Sequence, residues 1–181
     1  ASEAGDEDHA DGRVAREAIR LLEQKRQKPF FLAVGFHKPH DPYIAPKRYF
    51  EPYPFDRIPP VGGPLNDRDD VPSAAYPSMA KTLYLGPQET RELRGAYYAC
   101  VSFMDAQVGK VLDALERLGL AENTLVVFFS DHGLHLGEHS WWNKVTLFER
   151  SARVPLIIAG PPVRDPGRAC RRTVELVDIF P

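Results

Sequence analysis

Thr124-Leu125-Val126-Val127-Phe128-Phe129-Ser130 runs directly into Asp131-His132-Gly133, so an apolar stretch of strand length ends in ionisable residues. A continuous apolar run without polar alternation predicts a strand covered on both faces, the pattern of a parallel sheet. Two other runs share it: Phe30 to Phe36 (FFLAVGF) upstream and Val154 to Ala159 (VPLIIA) downstream. Between the first two, Pro87 to Gly119 carries Leu93, Tyr97, Cys100, Met104, Val108, Val111, Leu115 and Leu118 three or four residues apart, which predicts a long helix. Pro87 suits its first turn and Gly119 the position after its last. Gly95 and Gly109 inside it each cost about 1 kcal/mol against alanine, so both are expected at close packing contacts.

Asp11 to Gln27 reads as a second helix, with Val14, Ala18, Leu21 and Leu22 on one face and Asp8 or Asp11 as its N-cap. Val174 to Phe180 could begin another. The element order predicts an α/β fold with a mainly parallel central sheet flanked by helices, the long helix being a right-handed crossover. From His37 to Pro87 there is no period. Most of the chain's 17 prolines fall here, with the Gly62-Gly63 pair, which marks an irregular insertion at about 37–87. Loops of that length are usually functional or linking, and shaping a substrate site is the expected role.

With 23 basic against 25 acidic residues, the net charge of −2 leaves no electrostatic footprint for nucleic acid or an anionic membrane. No apolar run approaches the roughly 20 residues that span a bilayer. Cys100 and Cys170 are too few for a disulfide framework and lie in no metal-type spacing.

Ligands of open α/β sheets sit beyond the carboxyl ends of the strands. That rule singles out His37-Lys38-Pro39-His40-Asp41 after the first run. It also singles out Asp131-His132-Gly133, Glu138-His139 and Lys144 after the second. These side chains are expected to converge on one crevice, with His40 and Lys144 beside Asp131. Asp131 is a hard oxygen ligand for Ca²⁺ or Mg²⁺. A lysine and a histidine can neutralise a tetrahedral oxyanion, and histidine can protonate a leaving oxygen near neutral pH. The blander readings are an N-cap for Asp131, a structural His37, and His135 and His139 as loop residues packed by Trp141 and Trp142. His135-Leu136-Gly137-Glu138-His139 matches a zinc-peptidase pattern, H-x-x-E-H. That pattern works only on a helix, and Gly133 and Gly137 argue against one.

Phe128-Phe129-Ser130-Asp131-His132-Gly133, Leu136-Gly137-Glu138-His139, Trp142, Lys144 and Ser151-Ala152-Arg153-Val154-Pro155-Leu156 together resemble the type I sulfatases, nearest the iduronate-2-sulfatase and choline-sulfatase-like branches. Pro29-Phe30-Phe31-Leu32, His37-Lys38-Pro39-His40, the helical Ala99–Asp105 stretch and the ending Glu175–Pro181 extend the resemblance over nearly the whole chain. It implies an alkaline-phosphatase-like α/β fold and a sulfuric-ester hydrolase. Asp131 and His132 would belong to a divalent-metal site, usually calcium, with magnesium the alternative; some relatives carry asparagine at the His132 position. Lys144 would bind the sulfate, and His40 would contact the sulfate or the leaving oxygen. Lys38 and His139 would bind substrate. The resemblance further implies a sulfated small molecule or glycan, sugar or uronate sulfates foremost, and a periplasmic, extracellular or lysosomal-type compartment.

The family's nucleophile is a formylglycine made from cysteine in Cys-x-Pro-x-Arg. Cys100 is followed by Val101-Ser102-Phe103 and Cys170 by Arg171-Arg172-Thr173, so neither fits. The paired N-terminal aspartates of the family are also missing. The expectation is therefore a partial catalytic domain over 1–181, with nucleophile and further metal ligands upstream of Ala1, and inactive in isolation. The alternatives are a phosphodiesterase or phosphonate monoester hydrolase of the same superfamily, or an inactive truncated product.

Overall fold

The computed structural model describes residues 1–24, 28–61, 66–76, 85–161 and 163–179. They fall into two units, Ala1–Gly62 with Tyr84–Leu120, and Gly63–Leu83 with Ala121–Pro181.

The first unit is built on α1 (Ala10–Leu22) and α2 (Pro87–Arg117). Pro87 opens α2, and the Glu89 carboxylate accepts the Gly86 N–H at 2.8 Å. Its far end closes as a Schellman motif. Gly119 takes φ 68°, its N–H reaches the Glu116 carbonyl, and the Leu120 N–H reaches that of Leu115. Both ends therefore match the sequence expectation. The buried stripe is rotated from the expected one, running through Thr90, Gly95, Ala99, Cys100, Phe103, Gln107, Ala114 and Leu115. Small residues set this face: a Cβ on Gly95 would stand 2.7 Å from the Phe55 ring, whereas one on Gly109 would meet nothing within 4 Å. Only Gly95 marks close packing. The irregular chain after His37 folds onto this face, where Ala45, Cys100 and Phe103 form a core flanked by Tyr43, Tyr49 and Phe50.

α1 buries Asp11, Gly12, Ala15, Ala18 and Leu22, one helical face. It begins after His9, so neither Asp8 nor Asp11 is its N-cap. Asp8 instead accepts the Gly5 N–H at 2.8 Å, closing the preceding turn. α1 ends at Leu22, short of Gln27; residues 25–27, like Gly62-Gly63, Phe180 and Pro181, lie outside the described residues. Asp6 is 6 % exposed and gathers Arg48, Tyr49, Gln107 and Lys110.

Phe30–Phe36 forms no strand, which corrects the expectation of one buried on both faces. Its burial alternates instead: Phe30, Leu32, Val34 and Phe36 are half-buried, while Phe31 is 94 % exposed. Leu32 to Gly35 lie beside Val14, Ala18 and Leu21 of α1. The run is thus covered on one side only, and no described strand pairs with its backbone.

In the second unit, β1 (Val126–Phe129) pairs with β2 (Leu156–Ala159), Val126 opposite Ala159 and Phe129 opposite Leu156. The pair is antiparallel, so the expected parallel sheet with α2 as its crossover is not formed among the described residues. Between the strands lies the one-turn helix α3 (Glu149–Ala152). Leu176–Ile179 is a 3-10 turn where a helix was expected.

Candidate functional site

Two loops hold the residues singled out above, one in each unit. In the first unit, Asp11 is 1 % exposed, and its carboxylate aims at the start of the His37 loop. One oxygen accepts the N–H of His37 and the other that of Lys38, both at 2.8 Å. The loop then turns back, the His40 N–H donating to the His37 carbonyl at 3.0 Å. Lys38 turns inward: its ammonium donates to the carbonyls of His40 at 3.1 Å and Pro42 at 2.6 Å. The rings of His37 and His40 lie 4.9 Å apart. His40 Nδ1 is 2.8 Å from the Asp41 carbonyl and 2.9 Å from its carboxylate. Asp41 therefore orients the ring, whose side chain is 44 % exposed. A histidine held through Nδ1 presents Nε2 to a substrate.

In the second unit, β1 delivers Ser130 and Asp131. The Ser130 hydroxyl donates to the His132 carbonyl at 2.9 Å, and the His132 N–H to Asp131 Oδ1 at 3.0 Å. His132 Nδ1 lies 2.8 Å from the Gly133 carbonyl, so that nitrogen is the donor and anchors the ring. Nε2 sits 3.6 Å from Asp131 Oδ2, whose side chain is 83 % exposed. Gly133 is tied to α3, its N–H donating to the Ser151 carbonyl at 2.8 Å. A Cβ there would stand 2.1 Å from the Arg150 carbonyl oxygen.

Beyond the turn, Glu138 accepts the Leu136 N–H at 2.7 Å, and Gly137 takes φ 107°. His139, Ser140 and Val145 have positive φ without being glycine, a concentration of costly backbone conformations around Lys144. Lys144 is half-buried, its N–H donating to the Asn143 side chain at 2.9 Å. His139 stacks on Phe148 at 4.7 Å, with Nδ1 2.9 Å from Asp67. His135 is fully buried. Its Nε2 meets the Thr146 hydroxyl, which donates to Ser151, both at 2.9 Å. Burial pushes His135 below its ordinary pKa, holding it neutral. No α-helix carries the H-x-x-E-H stretch, only a 3-10 turn over Glu138–Ser140, and its two histidines have different polar partners, so the zinc reading fails on geometry.

Asp131 and His132 supply an oxygen and a nitrogen on one side of a turn, and the other imidazole nitrogen is fixed by a backbone carbonyl, as in metal-ligating histidines. Calcium takes six to eight ligands. Among the described residues no third histidine, cysteine, aspartate or glutamate joins the pair. The two therefore fit as part of a cation shell. Asp67 and Thr146 escaped the sequence reading, and Asp11 was read only as a cap; the contacts of Asp11 and Asp67 span 26 or more residues, and no local spacing announces them.

The sulfatase family profile matches residues 3–181. The chain is 38 % identical to iduronate 2-sulfatase of Mus musculus, covering 94 % of this chain and 38 % of that protein. It is 37 % identical to choline-sulfatase of Rhizobium meliloti (strain 1021), covering 90 % and 32 %. The chain thus spans 32–38 % of the length of these relatives. Phosphonate monoester hydrolase of Agrobacterium radiobacter superposes with a TM-score of 0.74 at 27 % identity, over 87 % of this chain and 34 % of that one. These likenesses bear out the alkaline-phosphatase-like α/β class, of which the small sheet and its helices are a part.

Proposed function

Because the chain belongs to the sulfatase family, we propose that it supplies part of the active site of a sulfuric-ester hydrolase acting on sugar or uronate sulfates. Asp131 and His132 would hold the divalent cation, calcium by preference, which when bound draws negative charge from the sulfate oxygens. Lys144 neutralises a further sulfate oxygen as charge develops. His40, with its ring set by Asp41, delivers a proton to the ester oxygen as the S–O bond breaks and the alcohol leaves. His139 and Lys38 stand at the substrate's edge in this reading. His139 already meets Asp67, and Lys38 the carbonyls of His40 and Pro42, which favours a supporting role.

The nucleophile has no candidate here. Cys100 lies fully buried in the α2 core, where burial pushes its thiol up to about 11, far from the thiolate that attack requires. A formylglycine from a Cys-x-Pro-x-Arg stretch, absent from these 181 residues, fits the reading. The isolated chain should accordingly show no turnover. Among the described residues no helix is long and apolar enough to cross a membrane. The compartment we infer is a non-cytoplasmic one, as the resemblance implied.

The observation that supports this most is the Asp131–His132 pair, with the imidazole anchored through Nδ1 on the Gly133 carbonyl, inside a family match covering 3–181. A second reading, phosphonate monoester hydrolysis, is favoured by the TM-score of 0.74. Parallel assays of the full-length protein on 4-nitrophenyl sulfate and 4-nitrophenyl phenylphosphonate separate them. The proposal expects the sulfate to have the higher kcat/KM, and the reverse order would replace it.

A further inference from the structure

Asp11 is an ionisable side chain on the buried face of a helix, yet among the described residues no charged side chain is within hydrogen-bond reach of it. Both its oxygens are spent on two consecutive backbone N–H groups, those of His37 and Lys38. A carboxylate accepting two adjacent amides fixes the orientation of a peptide plane as well as its position. Lys38 then extends the arrangement from the other side, its ammonium drawing the carbonyls of His40 and Pro42 together. His40 is bracketed between these ties: its N–H bonds the His37 carbonyl, its carbonyl bonds Lys38, and its ring meets His37 and Asp41.

We propose that Asp11 and Lys38 are positioning residues that hold the His37–Pro42 loop so that the His40 imidazole meets the ester oxygen. This rests on the reading of His40 given above and assigns Lys38 to the loop's scaffold instead of to the sulfate. Asp11 suits the task because only a carboxylate offers two acceptors to two parallel donors. Asparagine would place an amide N–H against one of them and leave a buried donor unpaired. The consequence falls on the transition state more than on substrate binding, since a misplaced catalytic group costs rate steeply.

The test is a double-mutant cycle in the full-length protein with 4-nitrophenyl sulfate and phenyl sulfate, whose phenolate is the poorer leaving group. Asp11→Asn and Lys38→Met should each lower kcat by about 10- to 100-fold with KM changed less than about threefold. The loss should be larger on phenyl sulfate, where the proton matters more. In a His40→Ala background, either substitution should change kcat by less than about twofold, because the group they position is gone. Lys38 is half-buried in the loop and outside the core of α2, so Lys38→Met keeps the cycle informative if Asp11→Asn does not fold. Additive losses in the cycle, with His40→Ala itself slow, would overturn the positioning role and leave the function standing. A rise in KM confined to Lys38→Met would return that lysine to substrate binding. Wild-type turnover by His40→Ala would overturn this inference and the proposed role of His40 together.

Discussion

Replacing Asp6 by asparagine tests how the N-terminal segment is fastened to α2. Asp6 Oδ2 accepts from Lys110 Nζ at 2.7 Å, Tyr49 Oη at 2.9 Å and Gln107 Nε2 at 3.0 Å, while Oδ1 meets the Arg48 guanidinium. Hydrogen bonds to a charged group contribute about 1.5–3 kcal/mol each, and breaking a fully buried ion pair costs about 3–5 kcal/mol. Two observations reduce that figure. The side chains of Arg48 and Lys110 are 59 % and 43 % exposed, so both cations recover water when the carboxylate is lost. Gln107 keeps a second acceptor, the Phe103 carbonyl at 3.1 Å. A net loss of about 2–3 kcal/mol at pH 7 is expected from urea unfolding. Burial pushes the Asp6 carboxyl up, and the bonds from Lys110, Gln107 and Tyr49 more than offset this, leaving its pKa below the ordinary value. A carboxylate depressed in the folded state contributes fully above its unfolded pKa of about 3.9. That contribution is lost as pH falls through the folded value. The gap between wild type and Asp6→Asn should therefore be constant from pH 7 to about 5 and close towards pH 2. A gap under about 0.5 kcal/mol at pH 7, or one that persists unchanged at pH 2, would mean that the Asp6 carboxylate does not fasten this segment.

Thiol labelling should separate the two cysteines. Cys170 is exposed and should react within minutes at pH 8, whereas Cys100, fully buried with its pKa pushed up to about 11, should react only on unfolding. Two fast thiols would contradict the described core. Gly133→Ala should cost more than about 2 kcal/mol and abolish turnover, since the new methyl meets the backbone of Arg150 and Arg153 instead of a yielding side chain. A melting temperature within a degree of wild type would count against the described turn.

The Ser-Asp-His-Gly turn was legible because polar residues closing an apolar run mark a strand end, and β1 indeed delivers Asp131 there. The ends of α2 were legible because Pro87 and Gly119 have backbone requirements of their own. What failed was information carried by distant partners. An apolar run such as Phe30–Phe36 announces a strand but names no neighbour, and strand direction depends on a pairing the run does not encode. The helical stripe of α2 was misplaced because Gly95, a small residue without weight in a periodicity, is where Phe55 and Ile58 pack closely, and Ala99 is buried on the same helix. Asp11 was read as a possible cap, its local role. Its contacts lie 26 and 27 residues away. Similarly, His139 is 72 positions from Asp67, and only the fold brings them together.

In the proposed reaction His40, Asp131 and Lys144 act on one sulfate ester. The most direct measurement is steady-state hydrolysis of 4-nitrophenyl sulfate, with calcium, by the full-length protein and its His40→Ala, Asp131→Ala and Lys144→Ala variants. Each variant is predicted to lose about 10²-fold or more in kcat/KM while keeping the wild-type circular dichroism spectrum. Folded variants that hydrolyse the ester at the wild-type rate would contradict the account.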